Sequence, residues 1–108
     1  MAAYTLVVLT NANEGKDAEF NDWYTNQHLG DVLNIPGFTQ ARRFKLCDGF
    51  EGQHKYLALY EMETDDPASV TAELQKRAGT SAMMISPAMD MNANMSMFQA
   101  ITPMVKAK

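Results

Sequence analysis

The sequence predicts an α+β domain: a four-stranded antiparallel sheet with two helices on one face. Three observations lead there. A short β-branched run, Tyr4 to Thr10, precedes a segment whose large residues recur at helical spacing. Two extended segments, Phe38 to Leu46 and Tyr56 to Met62, then come in succession before a helix announced by Asp66-Pro67. A last alternating run, Met97 to Thr102, follows. The order β-α-β-β-α-β is the ferredoxin-like, split βαβ arrangement. At 108 residues the chain has room for one domain, 1–108, and none for a second.

Each element has its own warrant. The first strand, 3–10, is apolar on both faces, which suits a central position. The first helix, 16–33, carries Phe20, Tyr24, Gln27, His28 and Asp31 along one stripe, with Trp23 beside it. Asp17, Glu19 and Asp22 sit in its early turns, where negative charge suits the helix dipole. Asn34-Ile35-Pro36-Gly37 ends it. The second strand, 38–46, alternates strictly: Phe38, Gln40, Arg42, Phe44 and Leu46 on one face, Thr39, Ala41, Arg43 and Lys45 on the other. The third, 55–62, sets Leu57 and Leu59 against Tyr56, Ala58 and Tyr60, so neither face is polar. The second helix, 66–79, starts with Asp66 as cap and Pro67 at its first position, and Gly79 stops it. The fourth strand is expected at 96–102, before Pro103. Helices on one face leave the other sheet face bare and apolar. A second copy packed sheet to sheet would cover it, so a homodimer is expected.

Composition excludes several classes. One cysteine, Cys47, permits no internal disulfide and no cysteine-based zinc site. No run approaches the ~20 apolar residues of a membrane span, and the start lacks the basic region of a secretory signal. A cytoplasmic protein without membrane contact is expected. A net charge of −4 argues against nucleic acid as partner. Leu, Ile, Val and Phe make up only about a fifth of the chain, but nine Met, four Tyr and one Trp add apolar bulk.

The run from Glu19 to Leu33, followed by Ile35-Pro36-Gly37-Phe38 and Ala41-Arg42-Arg43-Phe44, resembles the dimeric α+β barrel superfamily, and within it the EthD-like small bacterial proteins. The cue is an aromatic-rich first helix with a Tyr, a His four residues on, and a Pro-Gly-Phe turn. Tyr24, His28 and Pro36-Gly37-Phe38 match it. The resemblance implies homodimers whose two sheets form a barrel, with a small pocket between sheet and helices in each subunit. Members include isomerases, cyclases, lyases and monooxygenases, so the chemistry does not follow from membership.

His28 is the leading catalytic candidate. Asp31, three residues on, is expected to orient its imidazole, and Tyr24, four back, to donate a hydrogen bond. Substrate-binding candidates are Arg42, expected on an apolar face where a guanidinium needs an anion, with Trp23, Tyr60 and Phe44 as pocket wall. His54 is read as a loop histidine, and a His28/His54 metal pair lacks a third ligand, so no metal and no cofactor are expected. The Met-rich segment 83–97 suits packing, an interface or a soft lid. The primary expectation is a cofactor-free lyase, isomerase or cyclase acting by acid/base chemistry on a small hydrophobic, oxygenated substrate. The alternatives are a monooxygenase of the same fold, cofactor-free or haem-dependent, and a non-catalytic ligand-binding dimer.

Overall fold

The computed structural model describes residues 2–108. Strands β1 (Ala2–Thr10), β2 (Phe38–Lys45), β3 (Tyr56–Thr64) and β4 (Asn94–Gln99) form one antiparallel sheet in the order β2-β3-β1-β4. The first helical segment begins as α1 (Asp17–Trp23), passes through a π turn (Tyr24–His28) and continues as α2 (Leu29–Leu33). The other helix is α3 (Pro67–Arg77). This is the ferredoxin-like α+β fold that the element order predicts.

The register assigns the two sheet faces. Leu6 pairs with Tyr60 and Val8 with Ala58, and this face lies under the helices. Val7 pairs with Leu59 and Leu9 with Leu57 on the opposite, open face. The covered face meets Phe20, Tyr24, Val32, Val70 and Leu74 from the helical layer. Phe20, Tyr24 and Tyr60 are each no more than 1% exposed. Burial of each such ring contributes about 1.5–3 kcal/mol, so the aromatic layer dominates this thin core.

Strand β2 departs from strict alternation. Phe38 pairs with Met62 but Gln40 pairs with Glu61, so one extra residue, Thr39, sits opposite a single step of β3. Such a bulge turns every later side chain to the other face. Phe38 remains under the helices. Ala41, Arg43 and Lys45 join it there, opposite Tyr60, Ala58 and Tyr56. Arg42 and Phe44 therefore stand on the open face, opposite Leu59 and Leu57. The expectation that Arg42 shares a face with Phe38 is corrected by this single inserted residue.

Other boundaries follow local chemistry. Asp66 caps α3 by accepting the Ser69 backbone N–H at 3.2 Å, and Pro67 opens the helix. Gly37 has φ +110°, and a Cβ there would stand 3.1 Å from Val70 Cγ2, so the turn lets α3 approach closely. β4 starts and ends earlier than the alternation suggests. It stops at Gln99 because its partner Tyr4 lies near the start of β1; one further bond, Ala100 N–H to the Ala3 carbonyl at 2.9 Å, closes the pairing. Among the described residues no helix is long and apolar enough to cross a membrane.

Candidate functional site

A cavity of about 160 Å³ lies between the first helical segment, the covered sheet face, α3 and the segment that follows it. Leu6 and Val8 form its floor, Tyr24, His28 and Val32 one wall, Leu74 and Met83 another. Tyr60 reaches it from β3 and Met95 from β4. Of the named site candidates, the fold thus brings Tyr24, His28 and Tyr60 together.

The π turn sets up the wall. It holds five residues, Tyr24 to His28, within an otherwise α-helical segment. Turns of this kind are rare and re-aim side chains. Here the Tyr24 and His28 rings meet edge to face with centroids 4.8 Å apart. On its other side His28 stacks on Trp23 at 4.6 Å. The Trp23 indole N–H donates to the Met84 carbonyl at 3.2 Å, which ties the Met-rich segment to the helix. Within that segment Met83 is buried and lines the cavity, while Met84 and Met91 are exposed. The segment is a cavity wall rather than a detached loop.

The electrostatics are unusual for so apolar a space. The Tyr60 hydroxyl donates to the Tyr24 hydroxyl at 2.9 Å, with both rings buried. Burial raises the proton affinity of both phenols. His28 Nδ1 is buried and has no hydrogen-bond partner. Burial lowers the imidazole pKa to about 4, with Asp31 opposing and the Arg43 cation adding to the depression. At neutral pH the ring is uncharged. His28 thus lines an apolar cavity with a ring nitrogen that is buried and unsatisfied, an uncommon state for a polar atom in a folded protein.

Other candidates lie elsewhere. The Asp31 carboxylate accepts from Gln27 Nε2 at 3.0 Å and acts on His28 through its field alone, not as the hydrogen-bonded orienting group expected. Trp23 touches the site through His28. Arg42 and Phe44 face away from the cavity, across the sheet. His54 stands 3.2 Å from the Asn92 carbonyl, in contact across loops. Among the described residues no group of three or more His, Cys, Asp or Glu is placed to hold a metal ion.

The residue that sequence reasoning missed is Arg43. Its guanidinium lies over the Tyr24 ring at 4.5 Å and near the Phe20 and Tyr56 rings, each at 5.5 Å. It donates to Thr25 Oγ1 and Asn21 Oδ1, each at 2.9 Å. The bulge at Thr39 puts it there, and nothing in the alternation marks that bulge.

Comparison with known proteins finds solved structures of similar fold. The heme-degrader MhuD from Mycobacterium tuberculosis superposes with a TM-score of 0.65 at 16% identity, over 94% of this chain and 99% of that one. SnoaB, a cofactor-independent oxygenase from Streptomyces nogalater, gives 0.60 at 13% identity, over 98% and 100%. An ethyl tert-butyl ether degradation (EthD) family protein from Bacillus halodurans gives 0.54 at 14%, over 92% and 99%. These likenesses show a shared ferredoxin-like α+β fold. In sequence, 47 residues are 47% identical to "Core atranone cluster (CAC) protein 1" of Stachybotrys chlorohalonatus, covering 44% of this chain but only 20% of that protein. The matched stretch therefore spans about a fifth of that relative's length. A family model described as a domain of unknown function (DUF4286) matches residues 3–89, most of the chain, and the protein belongs to that family.

Proposed function

We propose that the protein is a cofactor-independent oxygenase that seats the reacting ring of a small phenolic or enolic substrate in the cavity. The observation that carries this reading is the uncharged His28, with its unpartnered Nδ1, in an apolar wall beside the Tyr24–Tyr60 hydroxyl pair. The names of similarly folded proteins, an oxygenase and a heme-degrader among them, favour oxygen chemistry over the lyase or isomerase expected first. A haem does not suit the site. About 160 Å³ is close to the space a benzene-sized guest fills and below the roughly 300–1,000 Å³ of typical ligand pockets. No step is therefore assigned to a haem.

Each group has a part in the proposed reaction. Tyr60 donates to Tyr24, which leaves the Tyr24 hydroxyl hydrogen to hold a substrate oxygen. His28 accepts the substrate proton as electron density passes to dioxygen. The ring C–H carbon becomes a carbonyl carbon. One oxygen atom of O₂ enters that carbonyl and the other leaves as water with the two hydrogens removed from the substrate. The dry walls strengthen each polar contact and keep bulk water from the intermediate.

The test is oxygen uptake and quinone formation with a panel of phenols such as 1,5-dihydroxynaphthalene. Oxygen-dependent turnover without added cofactor is expected, with His28→Ala slower by about 10²–10⁴-fold. Turnover of an enolic substrate under nitrogen, with no oxygen uptake by any phenol, would return the chain to the isomerase or lyase reading. Saturable binding with no turnover in either series would make it a binding protein.

A further inference from the structure

Outside the cavity, on the far side of the Tyr24 ring, lies a shallow depression of about 300 Å³ at the β2 edge. Its lining is Asn21, Arg43, Phe44, Lys45 and Tyr56. Two of these five carry positive charge and none carries negative charge. Among the described residues no carboxylate lies within 4 Å of Arg43; the two ion pairs on the surface join Lys55 to Asp17 and Arg77 to Glu73. Both partners of Arg43, Thr25 Oγ1 and Asn21 Oδ1, are neutral.

That is a costly state for a guanidinium. It is half-buried against aromatic rings, and a cation taken from water without an anion loses solvation that neutral acceptors only partly restore. The two bonds use one N–H on each terminal nitrogen. A guanidinium has five N–H groups in a planar fork, so further donors remain, and that fork matches a carboxylate. Asp17, which reaches the Tyr56 hydroxyl at 2.6 Å, is already committed to Lys55 at 3.1 Å. It closes the far end of the polar chain and leaves Arg43 uncompensated.

We propose that Arg43 and Lys45 form a carboxylate-binding site on the β2 edge that accepts a small organic acid, its carboxylate on the Arg43 fork. The site is distinct from the cavity and does not depend on the oxygenase reading.

Benzoate is the probe, followed by backbone and arginine side-chain NMR shifts of the intact chain. Saturable shifts at Asn21, Thr25 and the Arg43 Nε–H are expected. Benzamide, the uncharged near-isostere, should bind more weakly by roughly tenfold or more. Lys45→Gln, an exposed position that leaves the fold alone, should weaken benzoate several-fold, and Arg43→Gln should abolish the shifts. If Arg43→Gln fails to fold, the Lys45 variant and the benzamide comparison still decide. The proposal is overturned if benzoate gives no saturable shifts, if benzamide binds equally well, if inorganic phosphate binds as well as benzoate, or if the shifts map to Leu6, Val8 and Met83 around the cavity.

Discussion

At His28 the cost of burying a charge outweighs the attraction of Asp31. Burial is the largest influence and the net result is a pKa of about 4, against 6.5 for a free imidazole. The consequence for stability has a definite sign. Between about pH 6.5 and 4 the unfolded chain takes up a proton at this residue and the folded chain does not. Stability therefore falls as pH drops through that window, with no contribution above it. The full shift corresponds to an upper bound of about 3 kcal/mol. In His28→Asn the urea midpoint should fall less between pH 7 and pH 4.5 than in the parent protein; parallel profiles would refute the burial argument. The paired phenols give a second expectation. Tyr60→Phe removes the donor to Tyr24 and should cost about 1–3 kcal/mol in denaturant unfolding, because a buried hydroxyl loses its partner. Tyr24→Phe combined with it should cost less than the sum of the two single changes. At this scale the sequence was informative where helical spacing governs. Tyr24 and His28 share a wall as positions four apart predict, even though the turn between them is π-helical. It was misleading at the arginines. Arg42 and Arg43 exchange faces through one bulged residue, and a bulge is set by pairing with a distant strand, not by its neighbours in the chain.

The elements hold these residues through a few local devices. The π turn over Tyr24–His28 contains one residue more than an α-helical turn needs. Asn26 is exposed within it, and its side chain donates to the Asp22 carboxylate at 2.8 Å. Deleting Asn26 should restore a regular helix and keep the far-UV circular dichroism of a folded protein, while the His28 side-chain resonances lose the ring-current shifts due to Trp23. Unchanged shifts would mean that the turn does not position the imidazole. Gly37 is the second device. Its φ of +110° and the 3.1 Å approach of Val70 predict that Gly37→Ala costs about 1–3 kcal/mol, read from the thermal or denaturant midpoint. The order of elements along the chain, the α3 cap at Asp66 and the stop near Gly79 were all legible, because each depends on residues adjacent in sequence. The π turn was not: its long-range neighbours, Arg43 over the Tyr24 ring and the Met84 carbonyl on the Trp23 indole, come only with the tertiary structure.

On the scale of the whole molecule, the unsolved problem of this chain is its open sheet face. Val7, Leu9, Leu57 and Leu59 lie on it, only partly buried, and Phe44 and Phe98 are 40% and 59% exposed. A domain of this size buries only roughly 60–68% of the surface its unfolded chain exposes, so it has little stability to spare for a bare apolar face. A contiguous patch of this kind marks an interface. A two-fold partner presenting the same face would cover it, because a self-complementary patch needs no second surface. Val7 is the natural point to test this. It sits on central strand β1, flanked by Leu59 on β3 and Ser96 on β4, and it makes no contribution to the cavity side. In the expected dimer a carboxylate at this position is buried opposite its own symmetry mate, and two like charges out of water oppose association strongly. Val7→Glu should therefore shift light scattering from twice the chain mass to the chain mass at micromolar concentration. It should also abolish the rise of the thermal midpoint with protein concentration that mass action gives a dimer. Thr5→Ser, on the same face but nearly neutral, serves as control. A parent protein that already scatters as a single chain at micromolar concentration would refute the assembly outright.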